Sequence, residues 1–139
     1  MIISNASCDN NPKTFYITPF GILSNKMQVA EQKKRRSLAL LLRELEVALK
    51  DQTLWQSERP SEQALASQEP FAIDTLNFPQ WLQFIFIEKI TALLQFNLAL
   101  PTAMDVAPMA TEYFMKHSCD SKQIVAVIKR IDLIINEKA

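Results

Sequence analysis

The sequence predicts an all-α domain, a bundle of roughly four helices, on three observations. Beyond Gly21 the chain contains no glycine, so no later residue takes a positive φ without steric cost. Apolar residues recur at three- and four-residue spacing in separate blocks, the pattern of amphipathic helices. Proline-bearing connections, where a helix cannot continue, separate those blocks. The missing glycines also remove the tight hairpin, the phosphate-binding loop, the dinucleotide-binding turn and the nucleophile elbow. At 139 residues there is room for one domain.

The bundle is expected to be built around Asn77–Asn97, NFPQWLQFIFIEKITALLQFN. Asn77 followed by Gln80 has the spacing of a capping box, and Pro79 falls in the first turn, where a missing N–H costs nothing. At helical steps Gln80, Glu88, Thr91 and Gln95 gather on one narrow strip. Apolar residues from Trp81 and Leu82 to Leu94 and Phe96 cover more than half the circumference, so several neighbours should surround this helix. Trp81 lies on the apolar arc and is expected in the core. The stretch is long enough to span a bilayer. Gln83, Glu88, Lys89 and Gln95 at mid-span argue against that, because each is costly in hydrocarbon.

Taken in order, Met1–Leu23 has no helical period and is broken by Pro19 and Gly21. Residues 1–23 read as a disordered or loosely docked extension, and 24–139 as the helical domain. A second reading takes Met27 as the natural start. From Ser24 or Asn25 a long helix is expected, with Leu38, Leu41, Leu42, Leu45, Ala48 and Leu49 inward and Arg43, Glu44, Glu46 and Lys50 outward. Lys33–Arg36 is a run of four bases, read as a solvated face. Four positive charges in a first turn would oppose the helix dipole, so the helix should start well before them.

Leu54-Trp55 closes this helix, and Gln56–Leu76, with Pro60 and Pro70, is a long connection of the kind that is functional or mobile. In its tail Phe71 and Ile73 alternate as in an extended segment with one buried side. Asp74 reads as a cap near the central helix, or else as an exposed functional acid. Leu98–Pro108 is a second connection. Pro108 can open a short helix to about His117 that turns Met109, Tyr113 and Phe114 inward. Asp120 with Gln123 has capping-box spacing before a final helix whose stripe is Ile124, Ile128, Ile131 and Ile135, with Val127 and Ile134 beside it.

The formal charge is zero, but Asn25–Arg36 carries five bases and one acid, and the chain from Ser37 carries nine bases and thirteen acids. Cys8 and Cys119 are too few for a disulfide framework, and no secretion signal opens the chain, so a cytoplasmic setting is expected. His117 with Cys119 is half a metal site at best. No metal or cofactor is expected, and no catalytic constellation is visible. The basic run lacks the aromatic partners of single-strand binding, so direct contact with nucleic acid is not expected. The residues with the best claim to binding are Trp55, Phe71, Asp74, Thr75, Trp81 and Tyr113. The expected function is a protein-interaction or accessory module that meets another protein through Phe71–Thr75. The alternative is a small-molecule-binding bundle or enzyme with a pocket near Trp55, Asp74, Trp81 and Tyr113.

Read together, the leucine-rich helix ending in Leu54-Trp55, then Gln68-Glu69-Pro70-Phe71, Asp74-Thr75, Pro79-Gln80-Trp81-Leu82-Gln83, Leu100-Pro101 and Val106-Ala107-Pro108 resemble the YqcC-like family of small bacterial domains. The last helix agrees in pattern only. The resemblance runs from about Leu38 to the end of the chain. It implies an all-α bundle of about four helices and supplies no catalytic residues to carry over. Because members are often encoded beside a tRNA pseudouridine synthase, it also implies an accessory role in RNA modification.

Overall fold

The computed structural model describes residues 21–137, with side chains from Gln28 onward. The expectations for Met1 to Phe20 lie outside the described residues. The chain divides into two compact units at Lys33/Lys34, and every buried residue among those described belongs to the unit from Lys34 onward.

Five helices follow in order, and no strand occurs among the described residues. Helix α1 is Gly21–Asp51, starting a little ahead of the expected Ser24. The short α2, Glu62–Leu65, lies in the first long connection and is capped by Ser61 Oγ on Ala64 N. Helix α3 is made of three consecutive stretches, Phe78–Trp81, a π-helical Leu82–Ile87 and Glu88–Gln95. Helix α4 is Ala107–Met115 and α5 is Lys122–Asn136.

One core unites them. Leu38, Leu42, Leu45 and Leu49 of α1 meet Leu82, Phe86 and Ile90 of α3, Ala110 and Phe114 of α4, and Ile124, Ile128, Ile131 and Ile135 of α5. Burying apolar area of this kind is the main force that holds a bundle. All the inward positions expected on α1 are buried, as is the isoleucine stripe of α5. Phe114, rather than Tyr113, is the fully buried ring of α4.

The helix ends show how a chain so poor in glycine makes its turns. Asn77 and Gln80 form the expected capping box at the start of α3, with bonds of 2.8 and 2.9 Å. At the end of α1, Thr53 N reaches Lys50 O and Leu54 N reaches Leu49 O. At the end of α3, Asn97 N and Leu98 N bond to Leu94 O and Leu93 O in the same way. Both are Schellman closures, and the left-handed residue is Thr53 (φ 57°) or Asn97 (φ 54°) where glycine is usual. The steric cost did not keep positive φ out of the fold.

Three expectations are corrected here. Asp120 and Gln123 form no capping box. Helix α5 begins later, with Ser121 at its N-cap, and Asp120 accepts from Lys122 N rather than from Gln123 N. The tail of the first connection is a tight turn at Pro70–Ala72, not an extended segment. Phe71 and Ala72 are left-handed there, so Ala72 and Leu76 are buried and Ile73 is 63% exposed. The basic run is only half solvated. Lys33 and Arg36 are exposed, while Lys34 Nζ donates to Ile135 O and Glu137 O, each at 3.2 Å. Arg35 donates to Leu93 O and Leu98 O. Two cations thus sit on the negative C-terminal ends of α5 and α3, where the dipole favours them.

Candidate functional site

The six residues singled out from sequence fall into three settings. Phe71, Trp81 and Tyr113 belong to one aromatic cluster. Phe71 meets Trp81 edge-on at 4.8 Å, Phe78 stacks on Trp81 at 5.8 Å, and Phe78 meets Tyr113 at 5.7 Å. Such pairs add to what burial alone gives. Trp81 is half-buried against the core rather than inside it, because it sits where α3 meets the Pro70–Ala72 turn. Burial raises the Tyr113 hydroxyl above the usual phenol range, and Cys119 adds to it. His117 stacks on Tyr113 at 3.9 Å and its Nδ1 donates to Tyr113 O.

Asp74 and Thr75 are exposed and belong to the loop. Thr75 Oγ1 donates to Ala64 O at 2.7 Å, and Ser67 Oγ donates to the Asp74 carboxylate. The cap of α3 is Asn77, so Asp74 is an exposed acid that ties the turn to Ser67, just past the end of α2. Trp55 lies under the Lys50 ammonium at 5.3 Å and borders a shallow groove of about 330 Å³ with Glu46, Gln83 and Glu88.

Gln83, the polar residue deep in the apolar face of α3, is buried and serves the first connection. Its amide accepts from Gln56 N at 2.9 Å and donates to Gln56 O at 2.8 Å. Asn136 of α5 holds Met104 in the second connection by the same two-way clasp, at 2.8 and 2.7 Å.

The feature that sequence reasoning missed is Asp132. It follows Ile128 and precedes Ile135 on the apolar stripe of α5, and it is only 7% exposed. Its Oδ2 accepts from Val106 N at 2.9 Å and Ala107 N at 2.8 Å, so a residue of α5 caps the start of α4. Its Oδ1 is buried with no hydrogen-bond partner among the described residues. Burial pushes the carboxyl above the usual carboxylate range, the two N–H groups oppose that, and Asp105 adds to it. The signal was present: an acid at helical register with Ile124, Ile128 and Ile135. Asp132 lines an open groove of about 710 Å³ between α4 and α5, together with Asp105, Glu112, Met115, Lys129 and Leu133. Met115 and Leu133 are 81% and 71% exposed beside it.

A glycine-poor helical domain, with loops clasped by side-chain amides and an acid-lined apolar groove, is the class these observations define. Within it, the chain belongs to the family whose model is described as tRNA pseudouridine synthase C (DUF446), which matches residues 37–134. It is 31% identical over 103 residues to the uncharacterized protein YqcC of Escherichia coli, covering 72% of this chain and 92% of that one. It is 33% identical over 95 residues to an uncharacterized protein of Haemophilus influenzae, covering 68% and 89%. The solution NMR structure of E. coli YqcC superposes with a TM-score of 0.67 at 26% identity, covering 76% and 91%. A third relative differs in size. A Pectobacterium carotovorum protein named tRNA pseudouridine synthase C is 43% identical over 58 residues, which are 42% of this chain but 15% of that protein.

Proposed function

We propose that this domain is an accessory interaction module that works in the cytoplasm alongside a pseudouridine synthase acting on tRNA. One observation carries the reading. The Pectobacterium protein bearing that name contains, within one longer polypeptide, a stretch resembling this chain. The E. coli and H. influenzae relatives are matched over 92% and 89% of their own length, and a stretch carried within a longer protein in one species and making up nearly a whole protein in another is a candidate to meet that protein non-covalently. No helix among the described residues is long and apolar enough to cross a membrane, which fits a partner that works on tRNA.

The turn after α2 is the first contact surface we assign. Its geometry is stiffened by the Phe71 ring against Trp81 and Phe78 and by the Thr75 bond to Ala64. Ile73 and the Asp74 carboxylate stand outward from it. A rigid turn that exposes an apolar and an acidic side chain loses little entropy on docking.

The test is to mix the full chain with the purified synthase from the same cell and follow complex formation by sedimentation velocity. A saturable complex is expected, weakened about tenfold by Ile73→Glu or by Asp74→Ala, as for a small central contact. Absence of any complex at tens of micromolar, a range that would already count as weak, overturns the reading.

A further inference from the structure

We infer that the seam between α4 and α5 is a docking groove for an amphipathic helix of a partner protein, bound with its basic end over Asp105, Glu112 and Asp132. The inference rests on the accessory reading only in taking the partner to be a protein. It concerns a surface separate from the Ile73 turn.

Shape comes first. The groove of about 710 Å³ along the Asp105 end of the seam and a second of about 400 Å³ along the Ser121 end share Thr111, Met115 and Lys129. The two grooves adjoin at those side chains, and we take them as one channel. On α5 its wall includes Lys122, Val125 and Ala126, Lys129, Asp132 and Leu133, and Asn136, positions that follow one outer side of the helix at three- and four-residue steps. From Lys122 to Asn136 that side runs roughly 20 Å at 1.5 Å per residue, the length of a four-turn helix. The floor is apolar, and Met115 and Leu133 stand out of it as knobs for a ridge of apolar side chains at i, i+3, i+4 and i+7.

Charge then sets direction. One end of the channel holds the carboxylates of Asp105, Glu112 and Asp132, while Lys129 lies in its middle and Lys122 at its far end. A helix places basic residues best in its last turn and acidic ones in its first. The complementary occupant therefore carries Arg or Lys near its C-terminus, over the acidic end, and Asp or Glu near its N-terminus.

Asp132 is the independent observation. Its Oδ1 is buried at the groove wall and has no hydrogen-bond partner among the described residues, a situation that is costly and uncommon in native proteins. Because that oxygen is closed to solvent, a guanidinium laid over the exposed Asp105 and Glu112 meets the Asp132 carboxylate through its charge behind the wall rather than by a direct bond.

The probe is a fluorescein-labelled 15-residue peptide with leucines at i, i+3, i+7 and i+11, glutamates in its first turn and arginines in its last, titrated by anisotropy against the full chain. A second peptide carries the same composition with the charged ends exchanged. The first should bind with micromolar affinity and the exchanged one about tenfold more weakly, the discrimination that like-charge juxtaposition gives. Leu133→Glu and Met115→Glu, both at exposed positions, should abolish binding while circular dichroism stays unchanged. Asp132→Asn, which keeps an oxygen for Val106 and Ala107, should narrow the difference between the two peptides. Equal binding of both peptides, or binding that survives Leu133→Glu, overturns the proposal. So does concentration-dependent dimerisation of the chain that Leu133→Glu removes, because the groove would then take a second copy. Loss of the synthase complex by Ile73→Glu with peptide binding intact separates the two surfaces.

Discussion

Asp132 is an acid in an isoleucine stripe, and its burial is explained by the helix end it serves. Helix α4 opens at Ala107-Pro108 with no capping side chain of its own, since Val106 stands at its N-cap. Two of its orphan N–H groups are met by Asp132 from α5. Asp132→Ala should therefore cost about 1–3 kcal/mol in urea denaturation, the penalty for stranding buried donors. The pH dependence follows from the raised carboxyl. Its folded value lies above its unfolded one, chiefly through burial, so the bound proton stabilises the fold fully below the usual carboxylate range. That contribution is lost as pH rises through the raised value. The stability of Asp132→Asn relative to the natural protein should accordingly improve as pH rises from below the usual carboxylate range through the raised value. A flat difference would mean that Asp132 titrates as in the unfolded chain. Thr53 gives the opposite kind of residue effect. A β-branched side chain at φ 57° is held against its preference, and Thr53→Gly should raise stability by up to about 1 kcal/mol despite the added freedom of the unfolded chain.

At the scale of elements, side chains that reach across to backbone organise the loops. Gln83 clasps Gln56, Asn136 clasps Met104, and Lys34 and Arg35 close the C-terminal ends of α5 and α3. Gln83→Leu keeps the volume but strands both backbone groups of Gln56. A loss of about 1–3 kcal/mol and faster amide exchange at Gln56 are expected. The basic run separates into two pairs by the same reasoning. Lys34→Gln with Arg35→Gln should lower stability by about 1–2 kcal/mol, from two cations near helix C-termini. Changing the exposed Lys33 and Arg36 to glutamine should stay within about 0.5 kcal/mol, as for most surface sites. Thermal denaturation of the two double variants compares them directly. Helix α3 carries the aromatic cluster, and Trp81 sits at its rim. Trp81→Ala should cost roughly 2–3 kcal/mol, below the usual range for a fully buried aromatic.

For the whole molecule, every buried side chain among those described lies from Lys34 onward, and the core is continuous through α1, α3, α4 and α5. The expectation from sequence that residues 1–23 lie outside the helical domain is tested by removing Met1–Lys26, which should move the melting temperature by no more than about 4 °C, the shift that a single kcal/mol produces at this size. A larger fall would show that the first residues contribute to the core. The all-α class, the core stripes of α1 and α5, the Asn77–Gln80 box and the long first connection were legible in the sequence. All are local: a spacing along one helix, or two residues three apart, already states which face must leave water. Tertiary structure alone decided the rest. Whether Lys34 and Arg35 face solvent depends on which helix ends come beside α1, and neither end is near them in sequence. Whether Asp132 is a misplaced acid or a cap depends on where Val106 and Ala107 arrive. The turn that exposes Ile73 rather than Phe71 follows from two left-handed residues that no propensity favours. The groove needs both α4 and α5 in place to have walls. Periodicity along the chain determines what must be buried, and only the docking of distant backbone groups determines which polar side chains are buried with it.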